Sequence, residues 1–285
     1  MWRDSYLIGD DRIDTQHREL FRNAKVLMDS LKDVNTAKHK QFLIEALDFL
    51  KSYVATHFRD EENLASSVGY ADAQRHKRLH DDLIIDVMFY ERELIYSDFS
   101  QASTERFLGF LSAWLINHVM DEDQRITHGI IKANSVENAE EFLNEFAEKA
   151  IQSIATLAGI PNHTIGCEIG SLRRLDPVAY FRTNMLGQPR LGVEFSYSKE
   201  IAVNIFKSIA GISQQEPNDA TYSILSELSN TMGGKFAEIL TASGAPCTSE
   251  RSVQYFFTAN ENNIRRRIYI STEIGDAEIV IFVKN

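Results

Sequence analysis

The amino-acid sequence predicts two domains of different fold class, an all-α four-helix bundle followed by an α+β domain. Three observations lead to this prediction. The length of 285 residues is more than a single hydrophobic core commonly serves. Apolar residues recur at helical spacing through most of the first half. Short segments rich in β-branched and aromatic residues, separated by turn-forming residues, then occupy much of the second half.

Four segments of the first half carry apolar residues at the spacing of amphipathic helices. They are residues 12–31, 37–65, 71–96 and about 104–126. Gly69 interrupts the pattern between the second and third segments, and the polar residues 97–103 separate the third from the fourth. Because these connections are short, consecutive helices are expected to run antiparallel. Residues 1–133 are therefore predicted to form an up-down-up-down bundle.

Residues 134–285 are predicted to form the α+β domain, which begins in the polar segment 134–138. Helical periodicity covers about 136–158, 199–210 and 218–243. Strand-like segments are 163–172, 177–186, 191–197, 251–259, 265–273 and 277–284. Turn-forming residues are found at 187–189, 260–263 and 273–275. Such hairpin turns predict a mostly antiparallel sheet, accompanied by two long helices.

The composition argues against several classes of partner. The net charge of −11 disfavours nucleic acid or an anionic membrane as the main partner. No apolar run reaches the 18 or so residues of a membrane span, and the N-terminus lacks the apolar segment of a signal peptide. The only two cysteines, Cys167 and Cys247, are not forced to pair, so a reducing compartment is expected. We expect a cytoplasmic protein.

Seven residues in the four predicted helices have side chains that commonly bind metal ions. They are His17, His57, Glu61, His76, His80, His118 and Asp123. Two of the pairs, in the second and third helices, have i, i+4 spacing, which places both side chains on one helix face. A single pair of this kind is more often a hydrogen-bonded core feature than a metal site. The joint pattern on four consecutive helices instead predicts a dinuclear metal site in the bundle core.

The chemistry of these ligands narrows the choice of metal. Imidazole together with carboxylate suits iron, manganese or zinc. Seven ligands are too many for a single zinc ion, whose sites are usually four-coordinate. The set is poorer in carboxylate than the di-iron enzymes with paired Glu-x-x-His motifs. A histidine-rich site favours reversible ligand binding, so a di-iron oxidase is the weaker interpretation.

The segments around these residues resemble the bacterial hemerythrin family over about residues 1–130. They read WRDSYLIGDDRIDTQHREL, HFRDEE, HKRLH and HVMDED. The resemblance implies that three histidines bind one iron and two bind the other, with two carboxylates and an oxo or hydroxo group as bridges. In that assignment the first iron takes His76, His80 and His118, the second takes His17 and His57, and Glu61 and Asp123 are the bridging carboxylates.

The resemblance also implies a function for the first domain. Dioxygen would bind as a peroxide at the open position of the iron that has fewer histidines. Trp2 matches a family position that we assign to packing. The family implies oxygen binding, transport, storage or sensing, and sensing of iron, nitric oxide or redox state stays open as well.

A second candidate site lies in the predicted helix 218–243. Glu227 and Asn230 have i, i+3 spacing and share one helix face. Ser223 lies one turn before them and Gly234 one turn after. Glu-x-x-Asn alone is most often an exposed polar face. The adjacent glycines at 233 and 234 each cost about 1 kcal/mol relative to alanine in a helix, which suggests a close approach to the backbone.

The pattern Ser-x-x-x-Glu-x-x-Asn-x-x-x-Gly resembles the motif of the CheX/CheC/FliY chemotaxis phosphatases, over about residues 137–285. The resemblance implies hydrolysis of the aspartyl phosphate of a CheY-type response regulator, whose own site would hold Mg²⁺. Asn230 would orient the attacking water, and Glu227 would pair with the regulator's lysine. The resemblance further implies a homodimer formed through the sheets.

Two features depart from the phosphatase pattern or duplicate it. The proline expected about twenty residues after the asparagine is Pro246, only sixteen residues on. A second Glu-x-x-Asn pair, Glu141 and Asn144, lies in the first helix of the domain and lacks the glycine. We interpret this second pair as part of an amphipathic helix face.

Two hypotheses for the whole chain follow from these resemblances. The first is a signalling protein whose di-iron bundle senses dioxygen, iron or redox state and regulates dephosphorylation of a response regulator. The alternative is a protein that binds oxygen or iron and whose second domain is a non-catalytic dimerisation or docking module.

Overall fold

The computed structural model describes residues 2–31, 37–128, 138–187, 190–255 and 264–283, with the backbone alone at 37–39. The chain divides into two compact units, Met1–Ile131 and Lys132–Asn285. The first is helical and the second is α+β, as the sequence predicts. Most of the predicted boundary segment 134–138 lies outside the described residues.

The first unit contains four long helices. The first three begin and end within two residues of the predicted positions, whereas the fourth ends at Asn117 and not at about residue 126. The four are α1 (Asp11–Ser30), α2 (Ala37–Ser67), α3 (Ala73–Tyr96) and α4 (Gln101–Asn117). The chain continues from α4 through a π-helical segment, His118–Asp123, into the short helix α5 (Gln124–His128). Helix α1 packs on α2 and α4, and α3 packs on the same two helices. This arrangement encloses one core between the four helices.

Local sequence explains where two of these helices begin. The Asp10 carboxylate accepts hydrogen bonds from the backbone N–H groups of Arg12 and Ile13 at the start of α1. The Ser100 hydroxyl accepts one from the backbone N–H of Ser103 at the start of α4. Each cap satisfies backbone donors that lack a partner within the helix.

The second unit is an antiparallel sheet accompanied by three helices. Its strands are β1 (Gly166–Ile169), β2 (Ala179–Gly187), β3 (Leu191–Tyr197), β4 (Cys247–Ser249), β5 (Val253–Tyr255), β6 (Ile264–Thr272) and β7 (Gly275–Val283). Their order is β1-β6-β7-β3-β2-β4, with β5 also paired to β2. The helices are α6 (Ala139–Ala158), α7 (Lys199–Ala210) and α8 (Asp219–Ala242).

The helices of the second unit pack on each other and on the sheet. Helix α8 packs against β2 and α7 packs against β7, while α6 packs on both helices. Residues 192–197 of β3 are all buried, including Glu194 and Ser196 between the apolar Val193, Phe195 and Tyr197.

Two strand predictions differ from the structure, and one strand was not predicted. The segment predicted at 163–172 forms a strand only at Gly166–Ile169. Strand β4 has three residues and was not predicted. Of the segment predicted at 251–259, the described strand is Val253–Tyr255, and residues 256–259 lie outside the described chain. The predicted turn residues 188–189 and 260–263 also lie outside it. Among the described residues no helix is both long and apolar enough to span a bilayer.

The two adjacent glycines of α8 have different surroundings. A Cβ atom on Gly233 would lie 2.7 Å from Cγ2 of Thr183 in β2, whereas one on Gly234 would have no atom within 4 Å. The close approach expected from the sequence therefore occurs at Gly233, and it comes from the sheet of the same unit. Gly234 lies on the half-buried face of α8 beside open space.

Alanine substitutions at these glycines are expected to change stability in opposite directions. Gly233→Ala should lower the free energy of unfolding by about 1–2 kcal/mol, because overpacking against the stiff, buried Thr183 outweighs the gain in helix propensity. Gly234→Ala should raise it by up to about 1 kcal/mol. Urea unfolding of the full-length chain measures both changes. Equal shifts for the two variants would contradict this assignment of the contact.

Candidate functional site

The structure brings all seven predicted metal ligands together in the core of the bundle. Helices α1, α2 and α3 and the π-helical segment each contribute. The residues are His17 from α1, His57 and Glu61 from α2, His76 and His80 from α3, and His118 and Asp123 from the π-helical segment. None is more than 4% exposed. Side chains of this kind are rarely buried unless they are paired or bind metal.

The last two ligands depend on the change of helix type after α4. In an α-helix, five residues leave two side chains about 140° apart in direction. The π-helical segment has i→i+5 hydrogen bonds and therefore a wider turn. As a result, Asp123 Oδ1 lies 3.0 Å from His118 Nε2. The local backbone thus lets two ligands at a spacing of five face the same point.

Six of the seven potential ligands, all except Asp123, form two groups that share one carboxylate. Glu61, His76, His80 and His118 form one group, and His17, His57 and Glu61 form the other. Within each group the ligand atoms lie within 4.8 Å of one another. The shared Glu61 occupies the position that a bridging ligand needs.

Both carboxylates turn their two oxygens toward different histidines. Glu61 Oε2 lies 3.1 Å from His80 Nε2, whereas Oε1 lies 3.6 Å from His17 Nε2. Asp123 Oδ1 faces His118, and its Oδ2 lies 3.2 Å from His17 Nε2. A carboxylate with one oxygen on each side can bind two ions at once.

The unsatisfied atoms of the cluster fit metal binding better than direct hydrogen bonding. Among the described residues, the buried atoms without a hydrogen-bond partner include both ring nitrogens of His17, Glu61 Oε1 and both oxygens of Asp123. Buried polar atoms normally have partners. Two ligands about 2.1 Å from one ion and at right angles to each other lie about 3.0 Å apart, close to several distances found here. The residues therefore suit an iron-binding site.

Burial and neighbouring charges set the protonation of the cluster. Burial lowers the pKa of His57 to about 4. Burial acts in the same direction on His17, but the nearby carboxylates of Asp123 and Glu61 outweigh it and raise its pKa to about 9. Burial raises the pKa of both carboxyl groups, yet the surrounding histidines hold each pKa below its ordinary value. The carboxylates are thus in the ionised form that binds metal, and a metal ion at this site would displace the proton of His17.

Neighbouring side chains orient three of the histidines. The ring of His57 lies with Nδ1 3.1 Å from Gln16 Oε1, a contact in which Nδ1–H donates to the amide oxygen. Phe58 stacks on His80 at a ring-centroid distance of 3.6 Å, and Trp114 stacks on His118 at 4.2 Å. Sequence reasoning missed these supporting residues. Their positions directly beside a ligand, or one turn from it, were the available signal.

An apolar cavity of about 180 Å³ reaches the cluster. Its lining includes His57 and His118 at the metal site and also Val26 and Phe49, which are 48% and 40% exposed. Most of the remaining lining residues are leucine, alanine, valine and phenylalanine. The cavity therefore joins the cluster to side chains at the bundle surface through apolar surroundings.

The second candidate site has a defined geometry on the half-buried face of α8. Asn230 Nδ2 donates to Glu227 Oε2 at 3.0 Å. The backbone N–H of Ser252 donates to Asn230 Oδ1 at 2.6 Å. Because a backbone N–H can only donate, it fixes the amide orientation and turns Nδ2 toward Glu227. Ser223 and Gly234 lie on the same half-buried face.

Two further residues of the second unit bear on this site. Sequence reasoning missed Ser252, which follows Asn230 by 22 residues and reaches it only through folding. The duplicate pair Glu141 and Asn144 lies on the exposed face of α6, two residues before and one residue after the buried Leu143. This position agrees with an amphipathic helix face.

Several solved structures resemble the second half of the chain at low sequence identity. Chemotaxis protein CheX from Vibrio vulnificus has a TM-score of 0.42 and 18% identity, covering 50% of this chain and 99% of that one. The CheX–CheY–BeF3–Mg complex from Borrelia burgdorferi has a TM-score of 0.42 and 14% identity, covering 50% and 98%.

The first half matches a known family in sequence. Residues 8–127 match the family model described as Hemerythrin HHE cation binding domain. A bacteriohemerythrin of Clostridium acetobutylicum is 30% identical over 125 residues, which are 44% of this chain and 95% of the relative. A hemerythrin-like protein of Naegleria gruberi is 27% identical over 124 residues, covering 44% and 87%. Through this first half, the chain belongs to the hemerythrin family.

Proposed function

We propose that the chain is a cytoplasmic signalling protein. A di-iron bundle senses dioxygen or redox state and regulates a phosphatase domain that acts on the aspartyl phosphate of a CheY-type response regulator. One observation supports this proposal most strongly. The same chain contains a buried cluster of seven potential metal ligands and an asparagine whose amide orientation is fixed by the fold.

The first unit supplies the sensing site in this proposal. His76, His80 and His118 hold one iron, His17 and His57 hold the other, and Glu61 and Asp123 bridge them. When bound, two irons supply reversible binding of dioxygen or a change of redox state. The residues of the chain hold this pair in a site with little access for water, since every ligand is at most 4% exposed.

The apolar cavity supports dioxygen as the ligand of this site. Its lining favours a small, uncharged molecule over ions, which lose their hydration in apolar surroundings. Phe58 and Trp114 stack on two of the histidines and restrict their movement. A histidine-rich site with fixed rings favours reversible binding over oxidation of a substrate.

The second unit supplies the output. Phosphoryl transfer requires mainly positioning and charge stabilisation, so an amide can orient the attacking water without acting as a base. Asn230 is held for this role by the backbone of Ser252. Glu227 pairs with a cationic side chain of the regulator. Because Glu227 then no longer accepts the hydrogen bond from Asn230, Asn230 Nδ2 becomes available to the water. The open space beside Gly234 gives the regulator room to approach. Magnesium and the phosphorylated carboxylate belong to the regulator.

The alternative is a non-catalytic second domain that serves dimerisation or docking. The edge strand β1 favours a dimerisation or docking domain, because all four of its residues are exposed. An edge strand can extend its sheet by pairing with a second copy of the chain. The signalling protein can form a homodimer through the same edge. Phosphatase activity, and not the oligomeric state, therefore distinguishes the two functions.

The iron proposal predicts both metal content and colour. The protein is expected to bind about two irons per chain and to change its visible absorption reversibly on reduction by dithionite and re-exposure to air. His76→Ala should lower the iron content, because His76 Nε2 lies 3.4 Å from an oxygen of each carboxylate. The exposed His128→Ala is the matched control and should retain iron. A colourless protein with stoichiometric zinc would contradict the proposal.

The phosphatase proposal predicts a specific requirement for Asn230. Asn230→Ala should slow phosphate release from a phosphorylated CheY-type regulator by about 100-fold, since the water loses its orienting group. Asn144→Ala in the exposed Glu-x-x-Asn pair of α6 is the control and should leave the rate unchanged. Equal rates in both variants and the wild type would favour the docking module.

Regulation predicts that the state of the metal site changes the phosphatase rate. Dephosphorylation should differ at least 5-fold between the anaerobic diferrous protein, the protein in air and the diferric protein, since allosteric couplings are commonly this large. The Asn230→Ala variant gives the background rate of dephosphorylation that does not depend on the phosphatase site of α8. If the wild type gives the same rate in all three states, the regulatory part of the proposal fails.

A further inference from the structure

Helix α3 presents an apolar face to solvent in addition to the face that it buries in the bundle. Six large apolar side chains form this outer face: Ile84, Ile85, Met88, Phe89, Ile95 and Tyr96, with exposed fractions between 44% and 78%. Taking about 200 Å² for each residue, the exposed part amounts to roughly 700 Å². This is more than the largest apolar patch of a typical monomer.

The outer face has the spacing of a helix-packing seam. Ile85, Met88, Arg92 and Ile95 follow one another at intervals of three, four and three residues, as in the a and d positions of a heptad repeat. The inward residues of α3, which include the ligands His76 and His80, lie on the opposite side. Helix α3 therefore carries a second seam that matches another helix.

Two glutamates beside this seam are directed to the helices of the same bundle. Glu91 pairs with Lys51 of α2 at 2.7 Å, and Glu93 accepts a hydrogen bond from Arg106 Nε of α4 at 3.0 Å. Arg92 lies on the outer face, with its guanidinium 5.4 Å from the ring centroid of Tyr96. Its aliphatic stem can pack on an apolar neighbour while the charge remains in water.

We propose that this face is an interface at which α3 pairs with α3 of a second copy of the chain, in antiparallel orientation. The exposed area of roughly 700 Å² per copy is close to the roughly 800 Å² per partner of a standard interface. A two-fold axis makes the same face serve both copies. No partner of other chemistry is needed to cover it.

The charge of Arg92 determines whether the two copies of α3 pair in parallel or antiparallel orientation. A parallel pair would place Arg92 directly opposite Arg92 of the second copy, which is unfavourable between like charges. An antiparallel pair centred near Tyr90 places Arg92 against Met88 and Ile85 against Ile95. Each Arg92 then packs its stem on an apolar side chain, and the two guanidinium groups are separated.

Cysteine cross-linking in the full-length chain tests the register. In a background with Cys167→Ser and Cys247→Ser, the Ile85→Cys/Ile95→Cys variant is expected to form a covalent dimer in oxidised glutathione. The single Ile85→Cys variant should stay uncross-linked, because antiparallel copies place these positions about 15 Å apart along the axis. Val68→Cys, an exposed apolar position outside the seam, is the control.

Two results of the cross-linking experiment would contradict the proposed interface or its register. No covalent dimer from the double-cysteine variant overturns the interface, and cross-linking by Ile85→Cys alone overturns the antiparallel register. Sedimentation equilibrium gives an independent measure. Ile85→Glu/Ile95→Glu should weaken self-association by about 100-fold, whereas Val68→Glu should not. An unchanged association constant for the seam variant, with folding verified by circular dichroism and iron content, would also overturn the interface.

Discussion

The structure of the first unit depends on one constraint, the burial of two carboxylates without a lysine or arginine beside them. Among the described residues, only histidines lie within ion-pair distance of Glu61 and Asp123. Removing an uncompensated negative charge from water is costly. Bound metal ions would remove this cost and so allow four helices to converge on a polar centre inside an apolar bundle. The π-helical turn follows from the same demand, since it directs Asp123 to the point that His118 faces.

Sequence spacing predicted that these side chains converge, because helix geometry converts spacing into direction. His57 with Glu61, and His76 with His80, needed only a regular α-helix to share a face. The change to a π-helix at His118 was not predictable from periodicity, which suggests only a continuing α-helix. Strand β4 was missed for a different reason. Three residues carry no periodic signal, and Cys247–Ser249 form a strand because folding places them beside β2.

The site on α8 was likewise predictable only where it depends on local sequence spacing, and not where it depends on tertiary contacts. The i, i+3 spacing of Glu227 and Asn230 was sufficient to predict that their side chains meet. The orientation of the amide depends on Ser252, a residue that no local pattern connects with α8. Gly233 is required by β2, whereas Gly234 is not required by any described part of the chain. Open space beside a fixed amide is what a site for an incoming partner needs.

Helix α3 links the metal centre to the proposed pairing of two chains. Its inner face carries His76 and His80, and its outer face carries Ile85, Met88 and Ile95. A packed helix moves largely as a rigid body, so a shift demanded by the ligands also moves the outer seam. If two copies pair through α3, a change at one metal centre alters the packing at the shared seam and therefore the other copy. Linkage is reciprocal, so pairing then also alters the affinity of the metal centre for its ligand.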